Sequence, residues 1–148
     1  MPEVKRNKRA HLDYEVLDTY EAGIVLTGAE VKSAKLGRVE LDGSFVYIRN
    51  GEAWIRGLKI SKYSKSGADQ NKYQPDRNRR LLLNKKEILE ISQKTDAAGL
   101  TIIPIFVYTT PSLVKLQIAI VRGKKKYDKR EAIKKKEFQR RLNSRVRN

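Results

Sequence analysis

The sequence of 148 residues contains no cysteine, a single histidine and no long apolar run. Without cysteine, the chain can form neither a disulfide framework nor a zinc site built on thiolates. His11 has no second histidine at metal-binding spacing, so we assign it no chemistry. No apolar run approaches the roughly 20 residues that cross a bilayer, and the first residues lack the apolar segment of a signal peptide. These absences predict a cytoplasmic protein with no membrane segment, metal or cofactor.

Acidic residues are also scarce. The chain has 33 Lys and Arg against 17 Asp and Glu, which gives a formal net charge of +16. The basic residues cluster at positions 5–9, between Lys59 and Lys86, and from Arg122 to Asn148, where 13 Lys and Arg stand against three acids. Because a merely basic surface would spread its charge, this clustering predicts binding to a polyanion. Nucleic acid is the first candidate and an anionic membrane the second.

The usual catalytic signatures are missing, so the protein is not expected to be an enzyme. "GIVLTG" at residues 23–28 begins like a phosphate-binding loop, but Ala29 and Glu30 stand where Lys and Ser or Thr would be required. One enzymatic alternative stays open, a metal-dependent nuclease, because its carboxylates could be assembled by the fold. The candidate carboxylates are Asp13, Asp18, Glu21 and Glu30.

The first half of the chain is typical of strands with a short helix between them. A long first strand is predicted from Tyr14 to Leu26, broken at "YEAG", where Gly23 could form a bulge. "TGAE" at residues 27–30 has the form of a capping box, which predicts a helix that runs to about Ala34. The Asn50-Gly51 pair then predicts a tight hairpin between two strands.

The second half contains a loop, a helix and two further strands. Residues 61–74 are rich in Ser, Gly, Asn and Lys and predict a long mobile loop. Asn84 predicts the start of a helix that ends near Gly99. In "LVKLQIAIV" the alternation places Val114, Leu116, Ile118 and Ile120 inward. Five or six short antiparallel strands with one inserted helix favour a small closed barrel of the oligonucleotide-binding type over a β-sandwich.

The basic tail predicts a helix from about Lys129 to Leu142, started by the Asp128–Glu131 cap pattern. Its apolar stripe is narrow, and Lys and Arg project all round, so the helix has no face to pack against the barrel. We therefore expect the tail to be disordered when free and helical when docked. A helix with positive charge on every side is suited to a channel lined by phosphates. The alternative is a solvated basic tail that has only general affinity for RNA.

Four stretches of the chain carry a resemblance to a known family. They are "NKRA" at Asn7–Ala10, "YEAGIVLTGAEVKSAKLGR" at Tyr20–Arg38, "PDRNRRLLLNKKEI" at Pro75–Ile88 and "GKKKYDKREAIKKKE" at Gly123–Glu137. In their residues and their order they resemble the SsrA-binding protein family, also called small protein B. The resemblance covers nearly the whole chain, and the loop over residues 61–74 is its least telling part.

The resemblance implies a mainly β fold with some α: a six-stranded antiparallel oligonucleotide-binding (OB-fold) barrel with three helices over residues 1–123, and a basic tail over residues 124–148. It implies binding to the tRNA-like domain of transfer-messenger RNA and delivery of that RNA to stalled ribosomes for trans-translation. Partners would be that RNA and the ribosome, including its small-subunit RNA. Elongation factor Tu with GTP and alanyl-tRNA synthetase would act through the RNA, and the protein would be a monomer.

The resemblance also assigns site residues. The expected transfer-messenger RNA surface comprises Asn7, Lys8, Arg9, Glu21, Leu82, Lys115, Gly123 and Lys124. Strand alternation independently places Lys115 outward, whereas Leu82 by itself could equally belong to the core. In the tail, Tyr127 would stack on a ribosomal RNA base in the decoding site. The remaining residues expected at the decoding centre and along the empty mRNA channel are Asp128, Lys129, Arg130, Lys134, Lys135, Lys136, Arg140 and Arg141.

Overall fold

The computed structural model describes residues 3–8, 10–63, 72–96, 99–123 and 133–141. Within these residues, the strands are β1 (Glu3–Arg6), β2 (Tyr14–Ile24), β3 (Val39–Glu40), β4 (Phe45–Arg49), β5 (Glu52–Arg56), β6 (Lys59–Ile60), β7 (Arg79–Leu82), β8 (Leu100–Thr109) and β9 (Val114–Gly123). The helices are α1 (Ala10–Asp13), α2 (Gly28–Lys35), α3 (Lys85–Lys94) and α4 over residues 133–141. None of these helices is long and apolar enough to cross a membrane.

Six antiparallel strands form one closed sheet. Their order is β8-β4-β5-β7-β2-β9, and β9 pairs back to β8 to complete the ring. Strand β1 lies outside the ring and pairs with β8, while β3 and β6 form a separate two-stranded sheet. The expected mainly β architecture with some helices is confirmed. The assignment to the oligonucleotide-binding fold and the number of helices stay predictions.

The local signals for the helix starts and the hairpin are confirmed. Thr27 accepts a hydrogen bond from the Glu30 amide at 3.2 Å, and Glu30 accepts one from the Thr27 amide at 3.0 Å. Asn84 forms the same reciprocal cap at the start of α3. Asn50 and Gly51 both have positive φ, 53° and 74°, as the two-residue turn between β4 and β5 requires. These devices depend on neighbouring residues only, which is why the sequence predicts them.

Two boundary predictions are wrong. Strand β2 runs unbroken through "YEAG", because Gly23 pairs with β7 on one side and with β9 on the other. The irregularity in β2 lies instead between Val16 and Asp18. Helix α3 ends at Lys94, where the Thr95 hydroxyl donates to the Ile91 carbonyl at 2.7 Å, so the helix stops before Gly99.

The core fills the inside of the ring. The four residues of β9 that alternation predicts to point inward are all buried, as expected. The opposite face of β9 is also buried at Ala119 and Val121, which pack with Ala10 of α1 and with Ile103 and Ile105 of β8. The amino-terminal segment thus covers part of the outer face, which a single-strand pattern does not predict.

A buried ion pair connects α2 to the start of β7. Arg79 is fully buried, Glu30 is 1% exposed, and Arg79 donates to Glu30 Oε2 through Nη2 at 2.6 Å and through Nε at 2.9 Å. Arg79 also donates to the carbonyls of Leu58 at 2.7 Å and Pro75 at 2.8 Å. Arg77 is a second guanidinium partner of Glu30. Burial of two charges is tolerated here because hydrogen bonds surround both of them.

Candidate RNA interface

Glu21, Leu82 and Lys115, three residues expected on the RNA surface, come together on the outside of the ring. In the middle strand β2, Gly23 lies opposite Leu82 of β7 on one side and opposite Lys115 of β9 on the other. Glu21 precedes Gly23 by two residues and therefore shares its face. We call the set Glu21, Gly23, Leu82, Tyr108 and Lys115 the Lys115 patch.

The charged members of the Lys115 patch hold each other in place. Lys115 Nζ donates to Glu21 Oε1 at 2.8 Å, and this hydrogen bond lowers the pKa of Glu21. An ammonium group has three donors, so Lys115 keeps donors for a phosphate or sugar oxygen while Glu21 orients it. The Glu21 carboxylate accepts only, which fits the expectation that it orients a neighbouring basic side chain rather than binding phosphate.

Tyr108 is a member that sequence reasoning missed. It lies directly opposite Lys115 on β8. Its hydroxyl is buried and has no hydrogen-bond partner within the described part of the chain. Burial raises the pKa of Tyr108, and the nearby Glu21 carboxylate raises it further, so the hydroxyl keeps its proton. A predicted pairing of β8 with β9 could have indicated Tyr108, because this pairing places it beside the outward-facing Lys115.

Leu82 belongs to the surface and not to the core. It is 53% exposed and packs over Gly23, where an added Cβ would lie 3.3 Å from the Leu82 Cβ. Glycine at position 23 therefore leaves space for the leucine. An exposed leucine beside a lysine gives the patch an apolar contact for a base or ribose as well as a cation for phosphate.

The amino-terminal site residues lie elsewhere on the fold. Asn7 is buried, and its Nδ2 donates to the Pro104 carbonyl at 3.1 Å while its backbone amide donates to the Ile105 carbonyl at 2.7 Å. These bonds attach the amino-terminal arm, residues 3–8, to β8, so Asn7 positions the exposed Lys8 that follows it. Arg9 lies outside the described residues. Contact of Asn7 with RNA stays a prediction.

Gly123 marks the opposite end of β9 from the Lys115 patch. It pairs with Tyr14 and is exposed. It lies eight residue positions from Lys115 along the strand, a span of roughly 27 Å. The expected RNA surface thus extends along β9 instead of forming one compact pocket. Lys124, the next expected contact, lies outside the described residues.

The tail residues are seen only in α4. Lys134, Lys135 and Lys136 are exposed, as are Arg140 and Arg141. Phe138 is 62% exposed, so the predicted narrow apolar stripe is uncovered. The predicted tail helix agrees with the structure over residues 133–141, whereas Tyr127, Asp128, Lys129 and Arg130 lie outside the described residues. Disorder of the free tail stays a prediction.

Of the four carboxylates considered for a nuclease, Asp18, Glu21 and Glu30 are engaged in separate pairs. Asp18 accepts a hydrogen bond from Lys94, Glu21 accepts one from Lys115, and Glu30 accepts those of Arg79. Among the described residues, no group of three His, Asp or Glu side chains could hold a metal ion. The geometry therefore supports ion pairs at these positions.

Comparison with known proteins gives consistent matches. The SmpB protein family model matches residues 4–148. An SsrA-binding protein of Persephonella marina is 49% identical, with 94% of this chain and 90% of the relative covered. An SsrA-binding protein of Syntrophobacter fumaroxidans is 46% identical, with 93% of this chain and 84% of the relative covered.

A solved structure is similar as well. Its description reads "tmRNA-SmpB: a journey to the center of the bacterial ribosome", and its matching chain is 40% identical with a TM-score of 0.69. The match covers 87% of this chain and 93% of that chain. The resemblance carried by the four sequence motifs is therefore confirmed, and the chain belongs to the SmpB protein family.

Proposed function

We propose that this protein binds the tRNA-like domain of transfer-messenger RNA and delivers it to stalled ribosomes for trans-translation. The observation that carries the proposal is the convergence of Glu21, Leu82 and Lys115 on one outer surface of the ring. Membership of the SmpB protein family supports it, since relatives are named SsrA-binding proteins and the similar structure is described as tmRNA-SmpB in the bacterial ribosome.

The chemistry of the Lys115 patch suits a folded RNA. Lys115 provides a cation for phosphate and Leu82 an apolar surface, while the buried Tyr108 lies beside Lys115 and packs beneath the patch. Phosphate contacts set affinity and orientation, while shape, stacking and 2′-hydroxyls must discriminate among RNAs, because side chains cannot reach the deep major groove of an A-form helix. The patch thus serves recognition of a shape, with no bond made or broken by the protein.

The tail has a separate task in this proposal. Residues 124–148 follow the empty mRNA channel as a helix, with Tyr127 stacked in the decoding site and Asp128, Lys129 and Arg130 beside it. Lys134, Lys135, Lys136, Arg140 and Arg141 neutralise ribosomal phosphates along the channel. Since mRNA and this helix would occupy the same space, a vacant channel is the signal of stalling.

The remaining assignments belong to the same proposal. Residues 1–123 form an oligonucleotide-binding barrel, and the protein acts in the cytoplasm as a monomer without catalysis of its own. Elongation factor Tu with GTP and alanyl-tRNA synthetase meet the protein through the shared RNA and not through a protein pocket.

The testing experiment is a binding titration of the full chain and of a version that ends at Gly123. Each is titrated with the tRNA-like domain of transfer-messenger RNA at near-physiological salt, with excess ordinary tRNA as competitor. We expect both versions to retain the specific RNA. Equal competition by ordinary tRNA would instead identify a general binder of structured RNA, and degradation of the RNA in the presence of Mg²⁺ would identify a nuclease.

A tail variant separates the two tasks. Replacement of Tyr127, Asp128, Lys129 and Arg130 by Ala should leave affinity for the tRNA-like domain within about threefold, under roughly 1 kcal/mol. Peptide tagging on stalled ribosomes should be abolished. Loss of RNA binding in this variant would contradict the division between barrel and tail.

A further inference from the structure

A second outer surface lies on β4, β5 and β7, and the proposed function leaves it unused. Tyr47 lies opposite Trp54, Phe45 lies opposite Arg56, and Trp54 lies opposite Arg80. Residues directly opposite each other in antiparallel strands project to the same face of the sheet. Alternation along each strand adds Arg49 and Glu52. We call the seven residues the aromatic–arginine face: Phe45, Tyr47, Arg49, Glu52, Trp54, Arg56 and Arg80.

This face points away from the core. The inward-facing residues of these strands are buried inside the ring at Val46, Ala53, Ile55 and Leu81, and Ile48 is partly buried against the same core. By contrast, Phe45 is 40% exposed, and Tyr47 and Trp54 are partly exposed. Three large aromatic side chains therefore stand on the outside of the sheet, where they contribute less to the core than inward residues do.

Aromatic rings and guanidinium groups alternate on this surface. The rings of Phe45 and Tyr47 have centroids 6.3 Å apart and are tilted by 50°. Arg80 forms an ion pair with Glu52, with 3.6 Å between Nη2 and Oε1. Arg49 and Arg56 are exposed and form no ion pair within the described part of the chain. Three arginines against one glutamate leave a net charge of +2 on the face.

We infer that the aromatic–arginine face binds a single-stranded RNA segment. Unpaired bases would stack on Trp54, Tyr47 and Phe45, while Arg49 and Arg56 would bind the phosphates between them. Every base has a π-face, so aromatic platforms combined with cations are the usual means by which proteins bind single strands. A duplex hides its base faces and would bind poorly.

The position of the face fits an extension of the proposed RNA interface. Arg80 and Leu82 stand on the same side of β7, so a strand that leaves the Lys115 patch across Leu82 meets Arg80 and then Trp54. The inference rests on the proposed function for the source of the strand, which is either transfer-messenger RNA or ribosomal RNA. The net positive charge, and the lack of aliphatic side chains on the face, favour RNA over a protein partner.

Trp54 is the only tryptophan of the chain, so it reports directly on this surface. The full chain is titrated with an unpaired oligoribonucleotide of about ten nucleotides, and an RNA duplex of the same length serves as control. We expect the oligonucleotide to quench the Trp54 fluorescence and the duplex to leave it unchanged. Unchanged fluorescence with the oligonucleotide would overturn the inference.

Variants then separate this face from the Lys115 patch. Trp54→Leu, and the pair Arg49→Gln with Arg56→Gln, should each weaken oligonucleotide binding about tenfold, measured by anisotropy of a labelled RNA, with affinity for the isolated tRNA-like domain within about twofold. Arg38→Gln is the matched control, because Arg38 is exposed but lies outside these strands. Melting curves check the fold, and the arginine pair replaces Trp54→Leu as the test if that variant unfolds.

Lys115→Glu should give the reverse pattern, with binding of the tRNA-like domain weakened and binding of the oligonucleotide retained. Failure of the proposed function would appear as equal competition by ordinary tRNA, which leaves the quenching of Trp54 intact. Equal loss of both RNAs in the Trp54 and arginine variants would overturn a distinct single-strand site.

Two further arms identify the source of the strand. Full-length transfer-messenger RNA and isolated small ribosomal subunits are each titrated with wild type and with the arginine pair. Weaker binding in one arm supports the inference and names the RNA that supplies the strand. No weakening in either arm, as a face that serves a protein partner would give, overturns it.

Discussion

Two carboxylate–cation pairs on this fold have the same chemistry and opposite surroundings. Glu30 and Arg79 have side chains that are 1% and 0% exposed, whereas those of Glu21 and Lys115 are 53% and 29% exposed. In the buried pair, hydrogen bonds from the protein surround both ions, so no group is left for a ligand. In the exposed pair, the lysine keeps donors that face solvent. Exposure decides whether such a pair only holds the fold or keeps donors available for the proposed RNA contact.

The energetic difference follows from solvation. Removal of one partner of a buried pair leaves a charge that neither water nor a counter-ion stabilises, and the loss is large. An exposed pair exchanges its partner for water, so its own contribution to stability is small. The two pairs should therefore respond very differently to mutation and to acid.

Glu30→Ala should lower the free energy of unfolding by about 3–5 kcal/mol, because Arg79 and Arg77 then lose their carboxylate in a buried setting. Urea denaturation of the wild type and the variant measures the change. Glu40→Ala is the control, since Glu40 is exposed on β3. A loss under about 1 kcal/mol would show that burial does not distinguish the two pairs.

The second largest effect is the loss of stability that the buried Glu30–Arg79 pair should show in acid. Burial alone would raise the pKa of Glu30, but hydrogen bonds from Arg77, from the Thr27 amide and from Arg79 outweigh it and lower the pKa from 4.5 to about 2. Since the folded-state pKa is the lower one, the ionised carboxylate adds stability above the unfolded-state pKa, and that stability is lost as the pH falls toward 2. The full contribution is about 3 kcal/mol.

The measurement is the free energy of unfolding of the wild type and of Glu30→Gln, at about pH 6 and about pH 3. Wild type should lose about 2 kcal/mol more than the variant over this interval, because the side-chain amide of the variant does not titrate in this range. Equal losses in both proteins would assign the acid sensitivity to other carboxylates.

Lys115→Glu should weaken binding of the tRNA-like domain by about 1–3 kcal/mol, since it reverses a charge near phosphate and places two carboxylates side by side. A titration at fixed salt measures it. Lys59→Glu, at an exposed lysine of β6, controls for the change in net charge. If both variants bind alike, Lys115 lies outside the RNA site.

The smallest effect belongs to Lys115→Met, which removes the exposed ion pair but keeps the approximate length of the side chain. The free energy of unfolding should change by less than about 1 kcal/mol. Urea denaturation checks this against Glu30→Ala under the same conditions. A loss near that of the buried pair would mean that Lys115 supports the fold as well as the site.

The parts of the fold that the sequence predicts well are those set by neighbours in the chain. Thr27 and Glu30 form their cap within one turn, and Asn50-Gly51 needs only its own positive φ angles. The predicted break in β2 is wrong because strand pairing beyond the local sequence decides its continuity, whereas the end of α3 lies at a local Thr95–Ile91 hydrogen bond that the Gly99 signal does not indicate. Strand β2 passes Gly23 unbroken since two strands bond it there, against its local tendency to break.

The site divides in the same way. Alternation along β9 places Lys115 outward from the sequence alone, and the family resemblance adds Glu21 and Leu82. Tyr108 was not selected, because its closeness to Glu21 depends on the pairing of three neighbouring strands, β2, β9 and β8. Arg79 was also missed as a structural residue, since an arginine in a basic stretch gives no sign that it will be buried.

Strand β1 has a consequence for handling of the protein. It bonds β8 along residues 106–108, on the edge of β8 where β4 pairs only at Ile102, so the amino-terminal arm occupies the part of that edge which β4 leaves open. Proteolysis of the arm would leave an apolar, β-branched strand with an unbonded edge. Such edges recruit strands from other molecules. A clipped preparation should therefore aggregate even where its ring remains folded, and the intact arm acts as a safeguard for solubility.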